Sequence, residues 1–182
     1  GLLHLLSPSH GAFGPADSPA AGVSSSSPMK VARLRNAYLE LLKAALLNTL
    51  YMYDPGKTHA LYHHAGGLEK TGDPALTGLG KVRLDALQDK VETVLNERVP
   101  GDLIECGTWR GGAVLFMAGV LQAYNESAGR TVYGADVFTG LPAANATAGD
   151  SMAQLYTSLT GKLTVDFEST QAAVGRFGVG TS

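Results

Sequence analysis

The clearest indication of the fold is the run Leu103-Ile104-Glu105-Cys106-Gly107-Thr108-Trp109-Arg110-Gly111-Gly112. Its first four residues form a short, mostly apolar run that predicts a strand, and Gly107 lets the backbone turn sharply because glycine adopts positive φ freely. Gly111 and Gly112 remove side chains where the backbone enters the next element. Main-chain N–H groups at a helix N-terminus can then face a ligand. The stretch therefore predicts a strand, a glycine-rich turn and a helix that together bind a cofactor.

A second strand follows this unit. The apolar segment from Ala113 to about Tyr124 predicts a helix, and the segment Thr131–Ala135 predicts a strand that ends at Asp136. A strand, a helix and a second strand in this order begin a parallel sheet. We therefore expect an α/β fold in which the two strands are adjacent and parallel.

Two acids stand at the ends of these predicted strands, and their positions indicate a ligand class. Glu105 beside the turn would repel the pyrophosphate of a nicotinamide dinucleotide but favours the sulfonium and amino groups of S-adenosylmethionine. Asp136 lies where ligands bind in open parallel sheets, and it can accept both ribose hydroxyls of an adenosine. The alternative is a glycine turn without a ligand and a solvated or helix-capping aspartate. The turn and the acid together favour nucleoside binding.

The remainder of the chain divides into three parts. Residues 1–29 are rich in Ser, Pro, Gly and Ala, which predicts a disordered leader with little to bury. Residues 30–100 predict an N-terminal helical cap, with helices from Lys30 to about Tyr51 and from Asp73-Pro74 to Pro100. Residues 101–182 predict the first, incomplete part of a cofactor-binding domain, with further helices around Ser151–Leu159 and Phe167–Phe177.

The predicted cap helices carry periodic apolar residues at three- and four-residue spacing. The stripes that we expect to face the core are Val31, Leu34, Tyr38, Leu41, Leu42, Ala45 and Leu46 in the first helix, and Val82, Leu84, Leu87, Val91 and Leu95 in the second.

Composition excludes several classes of protein. The 14 basic and 16 acidic residues give a net charge of −2, which argues against nucleic-acid binding. Cys106 is the only cysteine, so the chain has no internal disulfide and no cysteine-rich zinc site. No apolar run reaches the roughly 20 residues that a membrane span needs. We expect a cytoplasmic protein, and the apolar opening residues leave an organellar address open.

Several blocks of the sequence resemble the macrocin O-methyltransferase family, whose members act late in macrolide and related pathways. The resemblance rests on residues 101–105, Gly107 and residues 109–112, and on the run 135–142, Ala-Asp-Val-Phe-Thr-Gly-Leu-Pro. Residues 38–43 and 48–51 match the family's first helix, and Thr77, Gly80 and residues 83–85 match its second. The resemblance extends from about Val31 to Val179.

The resemblance implies a Rossmann-like, S-adenosylmethionine-dependent O-methyltransferase that methylates a hydroxyl of a sugar or natural product. Glu105, Gly107 and Asp136 would contact the cofactor, and the cap would cover it. The full cofactor-binding set that we predict is Glu105, Gly107, Thr108, Trp109, Gly111, Gly112 and Asp136. Trp109 either stacks on adenine or packs under the turn. No catalytic base is identified, because the loop after Pro142 has no histidine.

The resemblance also implies what lies beyond this sequence. Family members continue past a segment like residues 176–179 into strands that carry the aspartate ligands of Mg²⁺, so we expect a truncated fold, a fragment that is inactive alone and no metal site in this chain. We expect a small hydroxylated acceptor as the partner, and a homo-oligomer is left open. Two alternatives remain: a non-catalytic remnant of the fold, and an NAD-type dinucleotide-binding oxidoreductase. We interpret His59, His63 and His64 as solvated surface residues.

Overall fold

The computed structural model describes the backbone of residues 2–6, 27–50, 75–140, 164–178 and 180–181, and the side chains of 27–50, 75–140 and 164–178. In chain order, the elements are β1 (Leu2–Leu6), α1 (Pro28–Leu46), α2 (Lys81–Asn96), β2 (Leu103–Cys106), α3 (Gly112–Ala123), β3 (Val132–Ala135), α4 (Phe167–Gly175) and β4 (Gly180–Thr181).

The sheet confirms the central prediction, because β2 and β3 are adjacent and parallel. Leu103 is opposite Val132, and Cys106 is opposite Ala135. The order of the strands is β2-β3-β1-β4. β1 pairs with β3, and β4 pairs with β1, both in the antiparallel direction. The parallel pair with its connecting helix α3 therefore has an antiparallel extension on the β3 side.

The prediction that residues 1–29 form a disordered leader is wrong at both ends of that segment. Leu2–Leu6 forms strand β1, an apolar run whose backbone pairs with the edge of β3 in the antiparallel direction. Helix α1 begins at Pro28, where the fixed φ of proline suits the first position of a helix and its missing N–H costs nothing. Residues 7–26 lie outside the described residues.

The buried face of helix α1 matches the predicted one only in part. Leu42 and Leu46 lie against or in the core as predicted, whereas the burial of Leu39 and Lys43 was not predicted. Leu39, Lys43 and Leu46 are buried, whereas Leu34 and Leu41 are 62% and 58% exposed. The helix has apolar residues on two faces, and periodicity alone does not choose between them. The choice depends on a contact between residues that are far apart in the sequence, Leu42 of α1 and Gly119 of α3. A Cβ atom at Gly119 would lie 2.3 Å from Leu42 Cδ2, so this glycine permits the close approach of the two helices.

The boundaries of the cap helices also differ from the prediction. Helix α1 ends at Leu46 because Asn48 adopts a left-handed conformation with φ of 54°, which terminates helices. Helix α2 begins at Lys81, after Gly80. Its apolar stripe is confirmed at the buried residues Leu84 and Val91, but Val82 is exposed.

Helix α3 lies at the centre of the described part of the chain. Nearly all of its residues from Gly112 to Leu121 are buried, as expected for a helix that is apolar on every side. It contacts α1 and α2 on one side and β2 and β3 on the other. The glycine turn leads directly into its N-terminus, so the core helix fixes the position of the candidate site.

A charged cluster joins the two cap helices. The Lys43 side chain is only 2% exposed, and its Nζ lies 2.8 Å from Glu40 Oε1 and 2.6 Å from Asp85 Oδ1. Lys81 Nζ contacts the same two acids, at 3.2 Å and 2.8 Å. The pKa values of both acids are lowered, because the two lysines outweigh the effect of burial. The buried lysine is thus compensated by partners from both helices.

The C-terminal part shows one of the two predicted helices. Helix α4 covers Phe167–Gly175, two residues shorter than predicted, and Asp166 caps it by accepting a hydrogen bond of 2.7 Å from the backbone N–H of Ser169. The predicted helix around Ser151–Leu159 lies outside the described residues.

Candidate cofactor site

The glycine turn uses left-handed backbone conformations at three positions. The φ angles of Gly107, Trp109 and Gly111 are 90°, 48° and 83°. The N–H of Gly107 donates to Ala135 O at 2.8 Å, which extends the pairing of β2 and β3 into the turn. A Cβ atom at Gly107 would have no atom of the described residues within 4 Å, so the space beside the turn is open in this part of the structure. Gly107 thus combines a conformation that favours glycine with room for a ligand.

Asp136 joins the end of β3 to this turn. Its Oδ2 atom accepts a hydrogen bond from the N–H of Trp109 at 2.8 Å, and its Oδ1 atom accepts one from the N–H of Phe138 at 3.0 Å. Burial acts to raise the pKa of Asp136, but the backbone N–H groups of Phe138, Trp109 and Val137 hold it below the ordinary value. The carboxylate is therefore ionised at neutral pH.

Glu105 lies in β2, opposite Gly134 of β3, and is half-buried. Burial raises the pKa of Glu105 to about 7; the N–H of Val114 acts in the opposite direction, and the charge of Asp136 adds to the increase. Its buried Oε2 atom has no hydrogen-bond partner among the residues that the structure describes. A ligand that supplies a positive charge or a hydrogen-bond donor here would satisfy that oxygen and favour the ionised form.

Trp109 and Arg110 form a stacked pair at the turn. The guanidinium carbon of Arg110 lies 4.1 Å from the centroid of the Trp109 ring, so one face of the indole is covered by a cation. Thr170 of α4 donates a hydrogen bond of 3.1 Å to the carbonyl oxygen of Trp109. The indole Nε1 is buried, and no described residue forms a hydrogen bond with it. The Arg110 guanidinium thus covers one face of the Trp109 ring. Stacking of this ring on adenine stays a prediction.

The structure gives a second reason for glycine at positions 111 and 112, besides the predicted contact with a cofactor. The N–H of Gly111 donates to Thr108 O at 2.9 Å, and the N–H of Gly112 donates to Leu76 O at 3.0 Å. A Cβ atom at Gly112 would lie 2.5 Å from that same Leu76 oxygen. Glycine at 112 is therefore required by the close approach of the cap. That either glycine also contacts a cofactor stays a prediction.

Thr108 is buried beneath the turn. Its Oγ1 atom donates to Glu105 O at 3.4 Å, and a Cβ atom at Gly134 would lie 2.7 Å from Oγ1. Sequence reasoning missed Gly134, whose lack of a side chain makes room for Thr108 between the two strands. A glycine within an otherwise strand-like run was the available signal.

The described part of the chain contains neither a membrane-spanning helix nor a cluster of metal ligands. No helix there is both long enough and apolar enough to cross a membrane. No group of three His, Cys, Asp or Glu side chains there is placed to hold a metal ion. The Mg²⁺ of the complete family enzymes stays a prediction. His59, His63 and His64 lie outside the described residues, and Cys106 is exposed with a free thiol.

The structure thus brings Glu105, Gly107 and Asp136 together at the ends of two parallel strands, and the sequence model of the macrocin O-methyltransferase (TylF) family matches residues 67–181, more than half of the chain. The chain belongs to this family. The resemblance predicted from the sequence is confirmed.

Two relatives and one solved structure agree with this assignment. The 8-demethyl-8-(2,3-dimethoxy-alpha-L-rhamnosyl)-tetracenomycin-C 4'-O-methyltransferase of Streptomyces olivaceus is 40% identical over 157 residues, which cover 80% of this chain and 58% of that enzyme. The mycinamicin III 3''-O-methyltransferase of Micromonospora griseorubida is 40% identical over 112 residues, or 58% of this chain and 43% of that enzyme. The structure of the O-methyltransferase NovP matches with a TM-score of 0.61 and 32% identity, covering 79% of this chain and 59% of that one. The chain therefore spans about half the length of these relatives.

Proposed function

We propose that this macrocin O-methyltransferase family member is an S-adenosylmethionine-dependent O-methyltransferase, and that the part described here forms the cofactor half of a Rossmann-like fold. The observation that carries the proposal is the placement of two acids, Glu105 and Asp136, on either side of the open Gly107 turn. Similarity to NovP supports the fold, and family membership supports the chemistry. An NAD-type oxidoreductase has no support from either.

The residues at the turn fit this cofactor. Asp136 is ionised and lies directly after β3, at the end of the parallel strands where ligands bind in open sheets, so its carboxylate is placed to receive ribose hydroxyls. Glu105 has a buried oxygen that lacks a partner among the described residues, and an ammonium group or a nearby sulfonium charge would stabilise it. A pyrophosphate at the same place would be repelled by the ionised Asp136 and would disfavour ionisation of Glu105.

S-adenosylmethionine, when bound, supplies a methyl group on a positively charged sulfur. The part of the protein described here would bind and orient the cofactor at the turn. Holding the acceptor oxygen in line with the methyl group would account for much of the rate enhancement. We assign no catalytic base.

The acceptor that we propose is a hydroxyl of a sugar or a natural product. The names of the two relatives describe methylation at a 4' and a 3'' hydroxyl of a tetracenomycin derivative and of mycinamicin III, respectively. For this chain we propose only the same class of acceptor, and neither of these two compounds in particular.

The test is transfer of labelled methyl from S-adenosylmethionine to a panel of hydroxylated sugars and macrolides by the full natural chain, with and without Mg²⁺, and with residues 1–182 alone assayed beside it, for which we expect no transfer. We expect label in at least one hydroxyl-bearing acceptor and none in deoxy analogues that lack the hydroxyl. Cofactor binding without transfer to any acceptor would favour the non-catalytic remnant. NAD-dependent hydride transfer in place of methyl transfer would contradict the proposal.

A further inference from the structure

Arg110 connects the glycine turn to the loop at residues 75–80, which we call the cap loop. Its guanidinium stacks on Trp109, with 4.1 Å from the guanidinium carbon to the ring centroid. Its Nη1 atom donates a hydrogen bond of 3.1 Å to the carbonyl oxygen of Ala75, 35 positions earlier in the chain. One side chain therefore contacts both the turn and the cap.

The cap loop is held at two further points. Leu76 O accepts the N–H of Gly112 at 3.0 Å, and the N–H of Leu76 donates to Leu46 O at 2.9 Å, at the end of α1. Leu76 thus lies between the N-terminus of α3 and the C-terminus of α1. Because the loop is tied to both helices, any displacement of the turn would be transmitted to the cap.

The Trp109 backbone completes a chain of contacts. Its N–H is bonded to Asp136, its ring is covered by Arg110, and Arg110 is bonded to Ala75. The acid at the end of β3 is therefore linked to the cap loop through two neighbouring residues of the turn.

We propose that Arg110 is a positioning residue of the cofactor site, which fixes the Trp109 ring and the cap loop in one arrangement beside the turn. This inference rests on the proposed function. Arg110 acts through Trp109 and Ala75. An arginine suits the role because its planar guanidinium stacks on an indole with one face and donates from its edge at the same time. A lysine ammonium can keep the charge but does not provide the planar stack.

The test compares Arg110→Lys and Arg110→Met with Arg33→Lys, which alters an exposed arginine of α1. Trp109 is the only tryptophan in the 182 residues, so a difference spectrum against Trp109→Phe isolates its fluorescence. We expect both Arg110 variants to shift the indole emission and to increase its quenching by acrylamide, without any ligand present. The Arg33→Lys variant should match the wild type in both measurements.

The second arm of the test is calorimetric titration with S-adenosylhomocysteine. We expect Arg110→Met to bind about tenfold more weakly because the Trp109 ring and the cap loop are no longer held in one arrangement, while melting temperature and far-ultraviolet circular dichroism stay near those of the wild type. Arg110→Lys should recover only part of the affinity. Wild-type affinity in either Arg110 variant, or unchanged Trp109 fluorescence, would overturn the inference. Failure of the wild type itself to bind would instead overturn the proposed function, and the fluorescence arm would still decide the role of Arg110.

Discussion

The backbone N–H of Trp109 donates a hydrogen bond of 2.8 Å to Asp136 Oδ2, so the acid at the end of β3 holds the turn that follows β2. The two residues are 27 positions apart in the chain, and the parallel pairing of β2 and β3 brings them together. Asp136 therefore has a structural role in addition to the cofactor contact that we propose.

Replacement of Asp136 tests both roles. Asp136→Ala removes the acceptor of the backbone N–H groups of Trp109, Phe138 and Val137, and we expect it to weaken S-adenosylhomocysteine binding by roughly 1–3 kcal/mol and to lower the melting temperature. Asp136→Asn keeps one oxygen and should lose less. The control is Asp89→Asn, on an exposed position of α2. Unchanged affinity in Asp136→Ala would remove this residue from the site.

The raised pKa of Glu105 predicts a pH dependence of stability. The folded-state pKa of about 7 lies above the ordinary value of 4.5, so the folded chain retains a proton between these pH values that the unfolded chain releases. The free energy of unfolding should therefore fall as pH rises from about 4.5 to 7. In Glu105→Gln this fall should be absent.

The measurement for Glu105 is urea unfolding of wild type, Glu105→Gln and the exposed control Glu97→Gln at pH 5 and pH 8. Glu105→Gln should gain stability relative to the wild type at pH 8, whereas Glu97→Gln should follow the wild type at both values. Parallel behaviour of Glu105→Gln and wild type would show that burial does not raise the pKa of Glu105.

Gly112 should tolerate no larger residue. In Gly112→Ala the new methyl group would lie 2.5 Å from the backbone oxygen of Leu76, which cannot move independently of the cap loop. We expect a loss of about 1–3 kcal/mol in the free energy of unfolding, as for other overpacked sites. Gly78→Ala, in the same loop, is the matched control because a Cβ atom there has no atom within 4 Å. Equal stability of the two variants would contradict the packing described here.

Lys43 tests the charged cluster between the cap helices. Lys43→Met keeps most of the buried volume and leaves Glu40 and Asp85 paired with Lys81, whereas Lys43→Ala also creates a cavity. We expect Lys43→Ala to be less stable than Lys43→Met by roughly 2 kcal/mol or more in urea unfolding. Equal losses in the two variants would mean that charge, and not packing of the lysine stem, dominates at this position.

Local pattern was sufficient for the elements that form the site. The run Leu103–Cys106, Gly107 and the apolar segment after Gly112 carry their own strand, turn and helix signals, and the parallel pairing follows from their order. The positions of Glu105 and Asp136 could be predicted because Glu105 lies just before the glycine turn and Asp136 directly follows the second strand. These features depend on neighbours within a few residues.

Features that depend on distant contacts could not be predicted. The buried face of α1 is selected by Gly119, and the role of Arg110 depends on Ala75. Pairing of Leu2–Leu6 with β3 depends on an available sheet edge rather than on the composition of the leader. In each case, the sequence is compatible with more than one arrangement, and packing against a remote element decides.

The most direct test of the account is calorimetric titration of the protein with S-adenosylhomocysteine and, separately, with NAD. The two acids beside the Gly107 turn predict binding of S-adenosylhomocysteine that is weakened in Asp136→Ala, and no measurable binding of NAD. Binding of NAD without binding of S-adenosylhomocysteine would contradict the assignment of this turn as a methyltransferase cofactor site.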